Sequence, residues 1–280
     1  MELAPDYDYL YKFNFYGHTL DIHDTKVVVE NIYIGDNGVE NLRNVLSIMK
    51  DCTYMSLGDP GIDYKTMADI RDEFRGRTKV AWLMYYGAYK GGAPRSAMSD
   101  TEVLHHVYYL TDKNCDNLMY FEDVKYIDFG HNETLTRIDY IQYMPKLEMI
   151  ILSGSSIRYL DAFANHQNIQ FIEVAWCTNI TDISGVQNCP NLKYLNISHT
   201  KAKDISVVHN LPLELFMCIG GVVNYEEAQA VKAAIPDCWI TYTGATGEEY
   251  GIGWRYNRDK TRTEPYDKLW DIFNYGAYWN

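Results

Sequence analysis

Apolar residues recur along this chain in a fixed phrase. Val124-x-x-Ile127-x-Phe129, Leu147-x-x-Ile150-x-Leu152, Ile169-x-x-Ile172-x-Val174 and Leu192-x-x-Leu195-x-Ile197 share one pattern, and Leu213-x-x-Phe216-x-Cys218 follows it less purely. The first positions, at 124, 147, 169, 192 and 213, advance by 23, 22, 23 and 21 residues. A second apolar pair trails each phrase: Leu135/Ile138, Ile157/Leu160, Ile180/Ile183 and Ala202/Ile205, advancing by 22, 23 and 22. Two registers moving together mark a structural unit that stacks on its own copies. The alternation at the end of each phrase predicts a short strand with its apolar residues turned inward. The Asp before the last apolar residue in "ITDIS" and "AKDIS" supplies an acceptor for free amides of a short helix or turn on the opposite side.

This is the signature of a leucine-rich repeat. Weaker copies lie upstream, at Val29-x-x-Ile32-x-Ile34 followed by Val39-x-x-Leu42, at Cys52-x-x-Met55-x-Leu57, and at Val80-x-Trp82-x-Met84. Val80 and Val124 are two repeat lengths apart, and a degenerate copy at Leu104–Leu110 fills the gap beside the loop-like "KGGAPRSAMSD". The expected fold class is α/β: a leucine-rich-repeat solenoid of about nine strands in one curved parallel sheet, concave, with short helices or turns on the convex side. Open ends of such a stack need covers. "KFNFYGHTLDIHDTKV", with a turn at Tyr16-Gly17-His18, reads as a β-hairpin cap over residues 1–26. "YEEAQAVKAAIPDCWITYT" reads as a helix and then a strand that cap the other end, with Ala228, Val231, Ala234 and Ile235 on one face. "YKTMADIRDEFRGRTKVAWLMY" is a similar unit inside the repeat region. The resulting division is a cap at 1–26, a solenoid at 27–222 that is irregular over 86–120, and a C-terminal cap with an aromatic tail at 223–280.

The chain resembles the internalin-like, short-repeat leucine-rich-repeat proteins common in gut Firmicutes. The resemblance is carried by "DFGHN" at Asp128–Asn132, "ITDIS" at Ile180–Ser184, "NLKYLNIS" at Asn191–Ser198 and "GWR" at Gly253–Arg255. It implies an exported or surface-attached binding protein without catalysis.

The repeat register sorts side chains into faces. The position after the strand holds Asn37, Asn132, Ser155, Cys177, Thr200 and Gly221, whose side chains are placed to satisfy backbone groups of neighbouring coils. Strand residues that alternate with the core form the concave columns. One column is Asn31, Tyr54, Tyr126, Met149, Phe171, Tyr194 and Leu215; the next is Tyr33, Ser56, Asp128, Ile151, Glu173, Asn196 and Met217. Trp176, His131 and His199 fall at the rim. A concave solenoid face is a usual binding surface, and clustered Tyr, Met and Phe mark interfaces. The candidate partner-binding residues are therefore Tyr126, Asp128, Met149, Ile151, Phe171, Glu173, Trp176, Tyr194, Asn196 and Met217. The plainer reading is that these side chains cover one another. The last residues, "WDIFNYGAYWN", are either a cap packed back on the last coil or a docking segment for another chain. Trp254 and Arg255 read as a lock on the rear cap.

Composition narrows the function class. With 47% hydrophobic and 22% charged residues the chain is globular. A formal net charge of -13 disfavours nucleic acid and anionic membrane surfaces as partners. No apolar run is long enough to span a bilayer, and "MELAPDYDYL" has no apolar stretch of the signal-peptide kind. Six cysteines form no CxxC pair. Cys52, Cys177 and Cys218 occupy structural slots of the repeat, while Cys218 and Cys238 are placed so that a bridge at the rear cap is open to them. No GxSxG, HExxH or phosphate loop is present. Asp21 and His23 share a strand face, where a surface metal is conceivable but a solvated hairpin face is the simpler reading. The expectation is a non-catalytic, monomeric, protein-binding module without cofactor or metal, binding a host or cell-surface protein outside the cell. A cytoplasmic regulatory subunit and a glycan-binding protein are the alternatives.

Overall fold

The computed structural model describes residues 10–242, 255–257 and 259–277. The chain divides into two compact units, Met1–Tyr85 with Ser96–Asp100, and Tyr86–Arg95 with Thr101–Asn280.

In the first unit β1 (Lys12–Phe15) and β2 (His18–Asp21) form an antiparallel hairpin. Its turn places Tyr16 at φ 48° and Gly17 at φ 89°, the pair of positive values that a tight two-residue hairpin turn demands. His23 lies beyond it, its Nδ1 at 3.1 Å from Asp51 Oδ2 in an exposed pair. Then follow β3 (Lys26–Val29), α1 (Val39–Ile48), β4 (Tyr54–Leu57), α2 (Tyr64–Glu73), β5 (Lys79–Tyr86) and β6 (Arg95–Met98), with a sheet in the order β3-β4-β5-β6. The first three strands are parallel, aligning Val27 with Met55 and Met55 with Val80. Both connections are ten-residue helices, and they bury Leu42, Val45 and Leu46 from α1 and Met67, Ala68 and Ile70 from α2. Asp63 caps α2 by accepting from the Thr66 amide at 3.0 Å.

The first strand lies at 26–29, not at the Val29–Ile34 position expected from the sequence. Three consecutive valines favour the extended chain there. Residues 30–35 instead leave the sheet and are held by the loop between β4 and α2: the amides of Ile34 and Gly35 both donate to Pro60 O. Lys26 and Val28, rather than Asn31 and Tyr33, therefore align with Tyr54 and Ser56.

In the second unit every sheet strand is parallel. β7 (Val103–His105), β8 (Tyr126–Asp128), β9 (Met149–Ile151), β10 (Phe171–Glu173), β11 (Tyr194–Asn196), β12 (Leu215–Met217) and β13 (Trp239–Thr241) form one seven-stranded sheet in chain order. The expected single sheet of about nine strands is thus two sheets, one ending on the β5-β6 pair and the other beginning on the β7-β8 pair. The degenerate copy near Leu104 is a true repeat strand, with Leu104 opposite Ile127. Short 3-10 turns, such as Asp161–Phe163 and Ser184–Val186, connect the central strands. They explain the shorter period here, since three residues of 3-10 helix take less chain than a ten-residue α-helix. Asp182 and Asp204 accept from the amides of Ser184 and Ser206, as their place in the repeated phrase requires. The helix α3 (Tyr225–Ala234), opened by an Asn224/Glu227 capping box, leads into β13.

One strand per 21 to 24 residues, all parallel, with turns between, is a leucine-rich-repeat solenoid. Its core holds Ile127, Phe129, Leu147, Ile150, Ile172 and Phe216 with no exposed surface, and Leu195 at 1%. Asn132 stitches coils together: its Nδ2 donates to His106 O and its Oδ1 accepts from the Leu110 amide, each at 2.8 Å. Cys177 donates to Leu152 O of the preceding coil. All six cysteines are buried, unbridged thiols, including Cys218 and Cys238.

Candidate binding site

The strand register builds two columns on the sheet face that points away from the core. Tyr126, Met149, Phe171, Tyr194, Leu215 and Trp239 align in one, and Asp128, Ile151, Glu173, Asn196, Met217 and Thr241 in the other. Val103 and His105 extend them at β7. The sequence places these residues correctly relative to one another.

It does not anticipate what lies against them. After Thr263, whose side chain accepts from the Tyr266 amide, the chain forms α4 (Glu264–Ile272) with Pro265 in its first turn. Tyr266, Leu269 and Phe273, at the i, i+3, i+7 spacing of one helical face, pack on Met149, Ile151, Phe171, Leu215 and Met217. Of the ten candidate residues, seven are buried: Asp128, Met149, Ile151, Phe171, Glu173, Asn196 and Met217. Tyr126 and Tyr194 are half-buried against the same cluster, their hydroxyls donating to Glu148 and Glu214. Only Trp176, at 45% exposure, presents a broad surface to solvent. The expectation of an open aromatic groove is therefore corrected: the face is filled by the chain's own C-terminal segment. That segment packs over the middle of the sheet rather than on the last coil. Trp254, Tyr278 and Trp279 of the tail and lock expectations lie outside the described residues.

The cover is also fixed by polar contacts. Arg255 Nη2 reaches Glu173 Oε1 at 2.7 Å, and Glu173 has no exposed surface. Ser153 donates to the same oxygen at 2.6 Å. The guanidinium of Arg255 lies 5.6 Å from the Tyr266 ring centre. Tyr275 donates its hydroxyl to Asp128 Oδ2, and the Gly130 amide donates to Oδ1 at 2.9 Å. Burial, reinforced by the Asp128 charge, pushes the Tyr275 phenol far above its ordinary value, so it stays a donor. Burial lifts Tyr266 to about 12. His105 Nε2 stands 3.6 Å from Asp128 Oδ2. Burial nevertheless holds the His105 imidazole below its ordinary value, outweighing that carboxylate, and keeps the ring neutral. Sequence reasoning missed Leu269, Phe273 and Tyr275 as parts of this site, although the Thr-Glu-Pro start and the apolar stripe of α4 are visible in the sequence.

The rim carries a second arrangement. Tyr108, His131, Gly154, Trp176, His199 and Gly220 recur at one repeat position, and all six take positive φ, from 57° to 73°. Four of them are bulky residues in a conformation that costs roughly 1–2 kcal/mol each. The amides of His131, Gly154, Trp176 and His199 donate to Ser153, Ala175, Ser198 and Ile219 in the next coil, which holds the column in place. Its rings stack in pairs. Tyr108 and His131 have centroids 5.5 Å apart and planes at 27°; Trp176 and His199 are 3.7 Å apart at 15°. A Cβ at Gly220 would stand 2.2 Å from the His199 ring, so only glycine lets His199 lie flat under Trp176.

Among the described residues no helix is long and apolar enough to cross a membrane. The cysteines sit far from nucleophilic form. Burial pushes Cys177 and Cys218 up to about 12, and Cys115, Cys189 and Cys238 to about 11.

No protein-family model matches the chain, and no curated protein does. Among solved structures, an internalin (InlF) of Listeria monocytogenes is 18% identical with a TM-score of 0.47, over 72% of this chain and 52% of that one. A leucine-rich-repeat protein of Leptospira interrogans is 13% identical with a TM-score of 0.47, over 71% and 50%. Internalin C2 of Listeria monocytogenes is 14% identical with a TM-score of 0.34, over 54% and 76%. The chain spans about half the length of the first two.

Proposed function

We propose that the chain is a non-catalytic protein-binding module that works outside the cell and captures its partner on the rim of the second unit's sheet. The observation that carries this reading is Trp176. It is a large, half-exposed ring, stacked on His199 and held by a strained backbone that the fold maintains at a recurring position. Strain and an exposed aromatic together are typical of a contact surface. The covered columns behind it give the rim a rigid base. Buried thiols with raised pKa values support a binding role rather than nucleophilic chemistry.

The rim also suggests the partner's chemistry. A flat indole offers its face to a guanidinium, and a chain of net charge -13 draws cationic surfaces toward it. The partner is thus an arginine-bearing segment of a host or cell-surface protein. The carboxylates of Asp128 and Glu173 are already engaged, accepting from the Tyr275 hydroxyl and the Arg255 guanidinium. The test compares proteins cross-linked from a cell-surface extract by the wild type, by Trp176→Ala and by Tyr143→Ala, which alters an exposed ring on a 3-10 turn away from the rim. A partner lost with Trp176→Ala but kept with Tyr143→Ala is the expected result, with affinity reduced by about 1–3 kcal/mol. A partner bound equally by all three proteins refutes the reading.

A further inference from the structure

A cavity of about 390 Å³ opens in the second unit where the covering segment meets the rim. It lies in the size range of small-molecule sites. It is independent of the Trp176 surface, since Trp176 does not line it. Its lining is rich in rings. Tyr108 and His131 belong to the rim and stack with centroids 5.5 Å apart; Trp270 and Tyr275 belong to the covering segment and meet edge to face at 5.5 Å. Tyr108 is 53% exposed and holds its ring there from a backbone at φ 67°, a strained conformation of the kind that collects at ligand sites. Aromatic rings so placed offer flat apolar surface to a guest.

The charges of the wall are matched. Arg95, Arg255 and Asp128 line the cavity, and the buried Glu173 is paired with Arg255 at 2.7 Å. Two guanidinium groups thus stand with two carboxylates, and burial keeps the His105 imidazole neutral. A charged guest would lose its hydration on entry and meet no net opposite charge in return. The wall does retain hydrogen-bond acceptors. The two Asp128 oxygens accept one bond each, from the Gly130 amide and the Tyr275 hydroxyl, whereas a carboxylate offers about four acceptor sites. The Ser153 hydroxyl donates to Glu173 and keeps its lone pairs. A fitting guest is therefore uncharged, carries several donors and presents an apolar face to the rings.

We infer that this cavity is a binding site for an uncharged pyranose sugar. Its hydroxyls donate to Asp128 and Ser153, and its C–H face rests on the aromatic lining. A free sugar and the end residue of a glycan chain share this chemistry. The site stands apart from the capture of a protein partner at Trp176, so either can fail without the other.

The test is calorimetric titration of the full chain with the methyl glycosides of glucose, galactose and mannose. At least one is expected to bind, and its uronic acid, its amino sugar and benzyl alcohol are expected to bind about ten times more weakly. Capture on an array of glycans ending in that sugar assigns a glycan; binding of the methyl glycoside without capture assigns a free sugar. Asp128→Asn should weaken the glycoside about tenfold, the effect of losing one hydrogen bond to a charged acceptor. The same variant leaves one guanidinium unmatched, so it should shift preference from the glycoside toward the uronic acid. Tyr108→Ala, at an exposed position outside the core, should also weaken the glycoside, whereas Trp176→Ala should leave it unchanged. If no glycoside binds, if a charged analogue or benzyl alcohol binds as tightly, if Tyr108→Ala binds like the wild type, or if Trp176→Ala abolishes binding, the assignment is wrong.

Discussion

The contact between Arg255 and Glu173 lets the covering of the sheet be tested by a double-mutant cycle. Glu173 is fully inaccessible, and Arg255 retains 24% exposure. The two partners therefore differ in what removing the other does. Arg255→Met leaves a carboxylate in a closed setting without its cation, the oxygen that faced Arg255 still bonded to the Ser153 hydroxyl. Removing one partner of a buried pair costs about 3–5 kcal/mol, most of it from the stranded charge. Glu173→Gln leaves a guanidinium that is near solvent and can turn toward water, so its cost is closer to that of one charged hydrogen bond, about 1.5–3 kcal/mol. The double variant strands no charge and keeps a side-chain amide at position 173 beside Ser153. It should be less damaged than Arg255→Met alone, giving a coupling of about 2 kcal/mol.

The measurement is urea unfolding of the four proteins, with hydrogen exchange followed at the amides of α4. If the pair holds the segment down, Arg255→Met speeds exchange in α4 more than in β10 or β11, and the double variant returns part of the protection. Single effects that add within about 0.5 kcal/mol would mean that the two groups do not interact, and the placement of 255–257 against β10 would be refuted.

Leu195 holds the central slot of the best-formed repeat and is 1% exposed. Leu195→Ala should cost about 2–5 kcal/mol in urea unfolding, and an unchanged midpoint would show that the repeat register is wrong. A pH effect follows from the thiols. Cys177 and Cys218 lie near 12 when folded, against an ordinary value of 9.0, so above pH 9 the unfolded chain releases these protons while the folded chain retains them. Stability contributed by the neutral thiols is complete below pH 9 and is lost as pH rises toward 12, by about 1.4 kcal/mol for each such thiol at pH 10. Unfolding midpoints in reducing buffer that are the same at pH 8 and pH 10 would contradict the burial of these groups.

The parts of the fold that repeat are legible in the sequence. From β8 to β12 each strand is announced by its own phrase, and the side chain of Asn132 stitches coils together as its place in the phrase requires. Legibility fails where a residue's role depends on something outside the phrase. Val29, Ile32 and Ile34 imitate the phrase and point to a strand several residues too late, while the true β3 is chosen by its pairing of Val27 with Met55. The upstream period is stretched by α1 and α2, which weakens the signal further.

The same limit explains the covered face. Alternation along a strand says which side chains point away from the core, and it says nothing of what meets them. The composition of the columns does carry a clue. Met149, Ile151, Phe171, Leu215 and Met217 together form a surface that water would cover at a cost of about 25 cal/mol for each Å² of apolar area. A face of that kind needs a permanent cover, and a soluble partner that comes and goes supplies one only part of the time. α4 has the matching stripe in Tyr266, Leu269 and Phe273, yet it lies far beyond Met217 in the chain and outside any repeat, so no period links the two. Chemistry links them instead. Each carboxylate among the columns, Asp128 and Glu173, meets a donor from the same C-terminal segment, Tyr275 and Arg255. Two charged positions answered by two donors, with apolar residues between them on both sides, make the segment an integral layer of the fold. On the proposed reading, partner contact falls to the rim, where Trp176 and Tyr108 remain exposed.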